Sequence, residues 1–326
     1  MLKNIIIPCR QIELTDLKSP LIPPNKFKYD DSDIDIYVEK IDEARMLYKT
    51  YSKLKSNMFS HRRYVNGALY TKIYNSSANV IFPKENQMIE LHVKYSDDNQ
   101  TSILSIYKEA DNNHQYLKKL HSLSIATLQY KDNTCRSRLK DLGQMIVLGS
   151  GKKNSNTLSE YNIMKNNNDL KNIVSEVIHS GKKYYQQIGL SHVINEMEQL
   201  NKTKYGSTKN FIPSIVQSRD LINAGHFDTN DASESISTWT ELDMNSANDW
   251  YFVLPNVTID KEEGNRIRVT KGNIESSCVN SEKGTIIPLS HGVTIKWDGT
   301  KIFHCSTVGN LGDKNHVFGT FFGIRN

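Results

Sequence analysis

From residue 211 onward the chain is a series of short strand-like runs separated by Gly, Asn, Asp and Pro. A stretch with helical periodicity precedes them, and a mixed region opens the sequence. Together these observations predict an α+β fold whose C-terminal part is a double-stranded β-helix, or jelly roll, since about eight regularly spaced short strands suit that architecture. The expected division is a mixed α+β N-terminal region over 1–150, a helical connector packing on the core over 151–210, and the jelly-roll core over 211–326.

The elements follow from periodicity. The apolar run Ile5–Ile7 ahead of Pro8 reads as a first strand. Residues 33–57 carry apolar positions at helical spacing (Ile41, Ala44, Leu47, Tyr51, Leu54). Ala68–Tyr74, Ile89–Tyr95 and Ser102–Tyr107 read as strands, the last two joined through the polar DDNQ as a hairpin. Residues 114–128 predict a helix and Gln144–Leu148 a buried strand. The polar run from Gly149 to Asn156 predicts a linker or exposed loop. Its GSGKK lacks the first glycine and the Ser or Thr of a phosphate-binding loop. Residues 157–200 predict helices with apolar stripes at Leu170, Ile173, Val174 and Val177, then at Ile194, Met197 and Leu200, punctuated by Gly181 and Gly189. Strands are then expected at 213–218, 221–227, 235–241, 250–255, 265–270, 284–288, 291–297, 301–307 and 316–324.

Composition bounds the function. The 326 residues are 24% charged and 37% hydrophobic, which suits a globular chain. A net charge of +5 admits an anionic partner without demanding one. Cys9, Cys135, Cys278 and Cys305 form no CxxC pair, which argues against a zinc ribbon and suits a reducing compartment. No apolar run reaches the length of a signal-peptide core or a membrane span. The expectation is a cytoplasmic or nuclear protein with no membrane partner.

Chemistry concentrates in the last third. His226 and Asp228 stand two apart in NAGHFDTND, so on a strand both side chains project to one face. His304 follows in HGVTIKWDGTKIFHCSTV, where Asp298-Gly299 predicts a hairpin joining Gly292–Trp297 to Lys301–Thr307. Two histidines and a carboxylate are the protein ligand set of non-haem iron(II) oxygenases, which leave open positions on the metal. Lys314 precedes the last expected strand and could pair with a carboxylate; Arg325 is the alternative cation, and Ser306 adds a hydroxyl.

In their order and spacing, HxD, a distant His and a later basic residue resemble the iron(II)- and 2-oxoglutarate-dependent dioxygenases, with the lysine similar to the prolyl 4-hydroxylase branch. The resemblance covers about residues 211–326. It implies Fe(II) on His226, Asp228 and His304, 2-oxoglutarate anchored by Lys314 or Arg325 with Ser306 nearby, and O2 as the oxidant. It also implies hydroxylation of a C–H bond with release of succinate and CO2. The large N-terminal region points to a macromolecular substrate, a protein or a nucleic acid.

Structural roles compete at each position. His226 could be a core histidine bonded to Asp228. His291 reads as structural, His316 as a weaker substitute ligand, and Asp231 and Glu234 as a turn and strand edge. Trp239, Trp250 and Trp297 read as core or pocket wall. The cluster His61-Arg62-Arg63-Tyr64 fits a surface helix end better than a nucleic-acid contact. A catalytically silent jelly-roll binding or structural module is the alternative function, and it predicts no iron affinity.

Overall fold

A computed structural model describes residues 3–11, 79–81, 83–95, 98–130, 142–154, 157–205, 214–222, 228, 234–243, 250–254, 257–259, 285–308 and 316–322. The strands are β1 (Lys3–Gln11), β2 (Asn79–Val80), β3 (Gln87–Tyr95), β4 (Asp98–Lys108), β5 (Leu142–Leu148), β6 (Ser150–Asn154), β7 (Thr157–Glu160), β8 (Ile215–Ile222), β9 (Ser235–Glu241), β10 (Trp250–Leu254), β11 (Val257–Ile259), β12 (Thr285–Pro288), β13 (Val293–Trp297), β14 (Cys305–Val308) and β15 (Val317–Phe322). Among the described residues three helices accompany them: α1 (Gln115–Thr127), α2 (Asn168–Gln187) and α3 (Ser191–Tyr205).

A nine-stranded sheet runs β11-β1-β3-β4-β13-β9-β15-β8-β5, and a four-stranded sheet runs β14-β10-β12-β2. Strands β13, β9, β15 and β8 are adjacent in the large sheet, while β10, β12 and β14 lie in the small one. The chain therefore switches sheets at every step from β9 to β15: β10, β12 and β14 lie in the small sheet, and β9, β11, β13 and β15 in the large one. That interleaving is the jelly roll, and the fold is α+β as the sequence predicts. Strands from the N-terminal region extend the same sheet on both sides: β1, β3 and β4 beyond β13, and β5 beyond β8.

Side-chain parity explains how one sheet serves two cores. On β13, Val293, Ile295 and Trp297 point between the sheets, where they meet Trp239, Phe252 and Ile302. Thr294 points the other way and lies within hydrogen-bonding reach of Tyr184 on α2. Both faces of β9 are covered, so all seven of its residues are buried. The second core holds Tyr116, Leu117 and Leu120 of α1 with Val174, Val177 and Tyr184 of α2, against Ile236 and Phe322 of the sheet.

The helices begin and end where local chemistry directs. Asn167 caps α2 by accepting the Leu170 amide at 3.0 Å, with Asp169 in the first turn. Gly189, at φ +79°, separates α2 from α3. Within α2, a β-carbon at Gly181 would lie 3.1 Å from the Tyr116 ring, so the missing side chain lets α1 and α2 close. None of the described helices is long and apolar enough to cross a membrane.

A buried hydroxyl chain ties the helices to the sheet. The Tyr116 and Tyr185 hydroxyls are 2.7 Å apart, and Tyr185 reaches Thr238 Oγ1 at 3.0 Å. Thr238 Oγ1 lies 2.9 Å from Thr294 Oγ1, which Tyr184 approaches at 3.3 Å. Burial pushes the phenols of Tyr116, Tyr184 and Tyr185 well up. Tyr185→Phe would leave Tyr116 and Thr238 each short of a partner. A loss of about 1–3 kcal/mol is expected in urea unfolding, the cost of burying an unmatched polar group.

Several expectations hold. β1, the β3–β4 hairpin, α1, β5, β9, β10, β12 and β15 lie within a few residues of their predicted bounds. Others need correction. Gly149–Asn156 is not a linker: Ser150–Asn154 pairs with Thr157–Glu160 as a hairpin, so the helical segment begins only at Asn168. Turn-forming residues mark hairpins and linkers alike, and pairing decided between them. The described part of the expected runs 213–218 and 221–227 is one strand, Ile215–Ile222, with the Arg219-Asp220 break absorbed at Asp220, which takes φ +51°. Arg219 reaches the Leu128 carbonyl, and Asp220 accepts the Val317 amide, so the polar pair serves neighbouring elements instead of making a turn. The short β11, which pairs with β1, carried too little periodicity to be expected. The expected elements at 33–57, 68–74 and 265–270, and the cluster His61–Tyr64, lie outside the described residues.

His291, just ahead of β13, has the structural role read for it. Its Nδ1 accepts the Glu241 amide at 3.3 Å, and its own amide donates to the Glu241 carboxylate at 2.8 Å. Desolvation by burial, helped by nearby His121, lowers its pKa to about 4. Unfolding releases it to a value near 6.5, so below that pH the unfolded chain takes up a proton that the folded chain refuses. Stability present above pH 6.5 is therefore lost as pH falls towards 4, by at most about 3 kcal/mol. Urea midpoints measured across that window should fall more steeply for wild type than for His291→Asn.

Candidate metal centre

The site is built on the crossing from β13 to β14. Asp298 makes the turn: its carboxylate accepts Thr300 N at 3.0 Å and Thr300 Oγ1 at 2.6 Å, and its carbonyl accepts the Ile302 amide at 2.9 Å. The sequence predicted a hairpin here, and the structure corrects it. β13 is already paired on both edges, to β4 and β9, so no edge is open to β14. The chain instead crosses to the small sheet, where β14 pairs with β10. Asp-Gly chemistry sets a tight reversal but not the partner of the strand that follows.

The crossing brings two predicted ligands together. His304 Nε2 lies 3.2 Å from Asp228 Oδ2. His304 is 4% exposed, with Phe252 stacked at 5.4 Å between ring centroids and Trp297 edge-on at 5.4 Å. Its Nδ1 lies 2.9 Å from the Ile302 carbonyl. A carbonyl only accepts, so the proton sits on Nδ1, and in the singly protonated ring the Nε2 lone pair faces the carboxylate. Two acceptors at that distance repel unless a proton or a metal cation joins them. Two donors about 2.1 Å from one ion and at right angles stand about 3 Å apart, which matches the observed separation. Nitrogen and carboxylate oxygen together suit iron(II).

Gly299 holds the carboxylate in place. Its carbonyl accepts the Asp228 amide at 2.8 Å. A β-carbon at Gly299 would stand 2.6 Å from Asp228 Oδ2 and 2.9 Å from Asp228 Cβ. Sequence reasoning treated Gly299 only as a turn residue. Ile302, as the carbonyl that orients His304, carried no signal at all, because backbone acceptors leave none in side-chain identity.

The remaining predicted residues divide clearly. His226, Asp231, Lys314 and Arg325 lie outside the described residues. So does the stretch before Asp228 on which the shared-face argument rests; Asp228 itself is in no strand. Among the described residues no group of three His, Cys, Asp or Glu side chains is placed to hold a metal. Ser306 Oγ donates to the Leu221 carbonyl at 2.8 Å. His316, read as a substitute ligand, pairs instead with Asp220 at 2.6 Å. Glu234 joins Lys296 at 2.8 Å and His192 at 3.1 Å. Trp239, Trp250 and Trp297 are core residues, as read.

No protein-family model matches the chain, and no curated protein matches its sequence. Among solved structures, one described as NgTET1 in complex with 5mC DNA is 12% identical, with a TM-score of 0.43, over 79% of this chain and 87% of that one. A 2OG-Fe(II) oxygenase family oxidoreductase from Burkholderia pseudomallei is 11% identical, with a TM-score of 0.33, over 68% of this chain and 84% of that one. Both likenesses are distant. The strand order and the Asp228–His304 pair stand without them.

Proposed function

We propose that the chain is an Fe(II)- and 2-oxoglutarate-dependent oxygenase that hydroxylates a C–H bond of a macromolecular substrate, a protein or a nucleic acid. The observation that supports this best is the facing of Asp228 Oδ2 and His304 Nε2 at 3.2 Å with Nδ1 engaged by a carbonyl. His226 is the proposed third ligand, Lys314 or Arg325 the anchor for 2-oxoglutarate, and Ser306 a nearby hydroxyl. Residues 211–326 form the proposed oxygenase core, with 151–210 as a helical connector packing on it and 1–150 as the mixed α+β N-terminal region.

Each described residue has a part in this reading. Asp228 and His304 hold the metal, and the Ile302 carbonyl keeps the proton of His304 away from it. Phe252 and Trp297 stop the imidazole from turning and exclude water from one side of it. Iron(II) held there, with 2-oxoglutarate and O2, supplies the oxidation that converts C–H to C–OH and releases succinate and CO2. Succinate release should be measured with iron(II), 2-oxoglutarate and ascorbate. Wild type is expected to turn over co-substrate even without its substrate, and His304→Ala is expected to release none above background. Equal release from both proteins sinks the proposal.

A further inference from the structure

The helices leave part of one face of the large sheet bare. Ile7 and Cys9 of β1, Leu91 and Val93 of β3 and Leu104 of β4 point between the sheets. Their neighbours along each strand therefore point to the opposite face. The helices cover that face at Met88 and Tyr107, which belong to the second core. Farther along the same strands it opens to solvent. Ile6 is 52% and Ile103 38% exposed, and among the described residues Ile125 is the one other large apolar side chain so exposed. A single exposed isoleucine is ordinary, but two on one face make a patch.

Register fixes the pattern on this face. Pro8, His92 and Ile103 stand in one row across β1, β3 and β4. On one side of that row Ile6 is opposite Glu90, and on the other Arg10 is opposite Lys94. Glu90 Oε2 lies 3.1 Å from His92 Nε2, which holds the carboxylate beside the middle row. Arg10 and Lys94 are both exposed. The face thus runs from a carboxylate at one end, past apolar side chains, to two cations at the other. A wholly acidic or wholly basic partner meets like charge at one end. A surface with the same groups in reverse order does not, and a second copy turned end over end presents that order.

We propose that this face docks a second copy of the chain about a two-fold axis that crosses the strands along the Pro8–His92–Ile103 row. The two sheets pack face to face with their strands aligned. Each residue of the row meets its own counterpart, so Ile103 packs on the partner's Ile103. Lys94 comes over the partner's Glu90, and Arg10 comes over the partner's Ile6. The two-fold makes each contact twice. The patch spans two strand spacings and two rows, about 10 Å by 14 Å. Stable complexes bury about 800 Å² on each partner, so this dimer is weak and forms at high micromolar protein.

Sedimentation velocity of the full chain, from low micromolar to near-millimolar protein, tests the proposal. Wild type is expected to pass from monomer to dimer within that range. Ile103→Asp sets two carboxylates against each other on the axis and is expected to weaken association about tenfold or more. Ile6→Lys, which faces the partner's Arg10, should weaken it as well. Glu90→Lys should do the same, and adding Lys94→Glu to it should restore association to within about twofold of wild type. Within one copy those two positions are four residues apart along a strand, about 13 Å, too far to pair, so rescue reports contact between copies. None of the substituted side chains is part of either core, and the variants should keep the wild-type far-UV spectrum. A monomer at every concentration overturns the proposal and leaves the face to a different protein or to water. Undiminished association in Ile103→Asp, or no rescue by the double reversal, overturns it too.

Discussion

Asp228→Asn is expected to weaken iron(II) or manganese(II) binding by about a hundredfold or more, while leaving the metal-free protein at least as stable as wild type. The two halves of this result have one cause. With one proton on the ring, held on Nδ1 by the Ile302 carbonyl, Nε2 of His304 turns its lone pair to a carboxylate oxygen at 3.2 Å, a contact between two acceptors. Asparagine has the same shape and supplies an N–H that can donate to Nε2, so the repulsion becomes a hydrogen bond. The metal loses an anionic ligand at the same time, along with the charge that offsets its own. Anaerobic titration reads the first effect and urea unfolding with chelator the second. A structural ion pair between Asp228 and protonated His304 gives the opposite stability result. Asn would then cost the protein a buried charge partner and lower the urea midpoint markedly. Metal affinity unchanged in Asp228→Asn would falsify the metal-site reading.

Gly299→Ala is the second large effect. The added β-carbon would stand 2.6 Å from Asp228 Oδ2 and 2.9 Å from its Cβ. The carboxylate end could swing aside, but Cβ is fixed to the backbone, and that backbone is held by the Asp228 amide bond to the Gly299 carbonyl. The ligand must therefore shift as a unit. Residues that orient a metal ligand without touching the metal typically contribute 10–100-fold in affinity, and a loss of that size is expected here. Gly299→Ala should retain its far-UV spectrum and most of its thermal stability. Metal affinity within twofold of wild type would show that the turn relaxes freely and that Gly299 does not position Asp228.

These two substitutions show unequal legibility in the sequence. Asp228 and His304 could be singled out as candidates from residue type and spacing, because ligand chemistry is a property of the side chain itself. Strand 293–297 was legible too, since its apolar residues alternate and Val293, Ile295 and Trp297 all face the core between the sheets. The Asp298-Gly299 hairpin was misread for a definable reason. Turn chemistry is local, whereas the partner of the strand after a turn depends on which edges are already occupied. β4 and β9, distant in sequence, occupy both edges of β13. The Gly149–Asn156 hairpin was missed for the converse reason: polar, glycine-containing strands carry no apolar alternation.

The sequence by itself determined the fold class, the place of most core strands, and the residue types and order of the proposed ligands. Each follows from the side chain and its neighbours along the chain. The tertiary structure alone decided that Asp228 meets His304 and that the Gly299 carbonyl and missing side chain hold Asp228. Those relations join residues separated by whole strands. They arise only when two sheets close over one another and a crossing between them places backbone atoms, which sequence does not distinguish, against particular side chains.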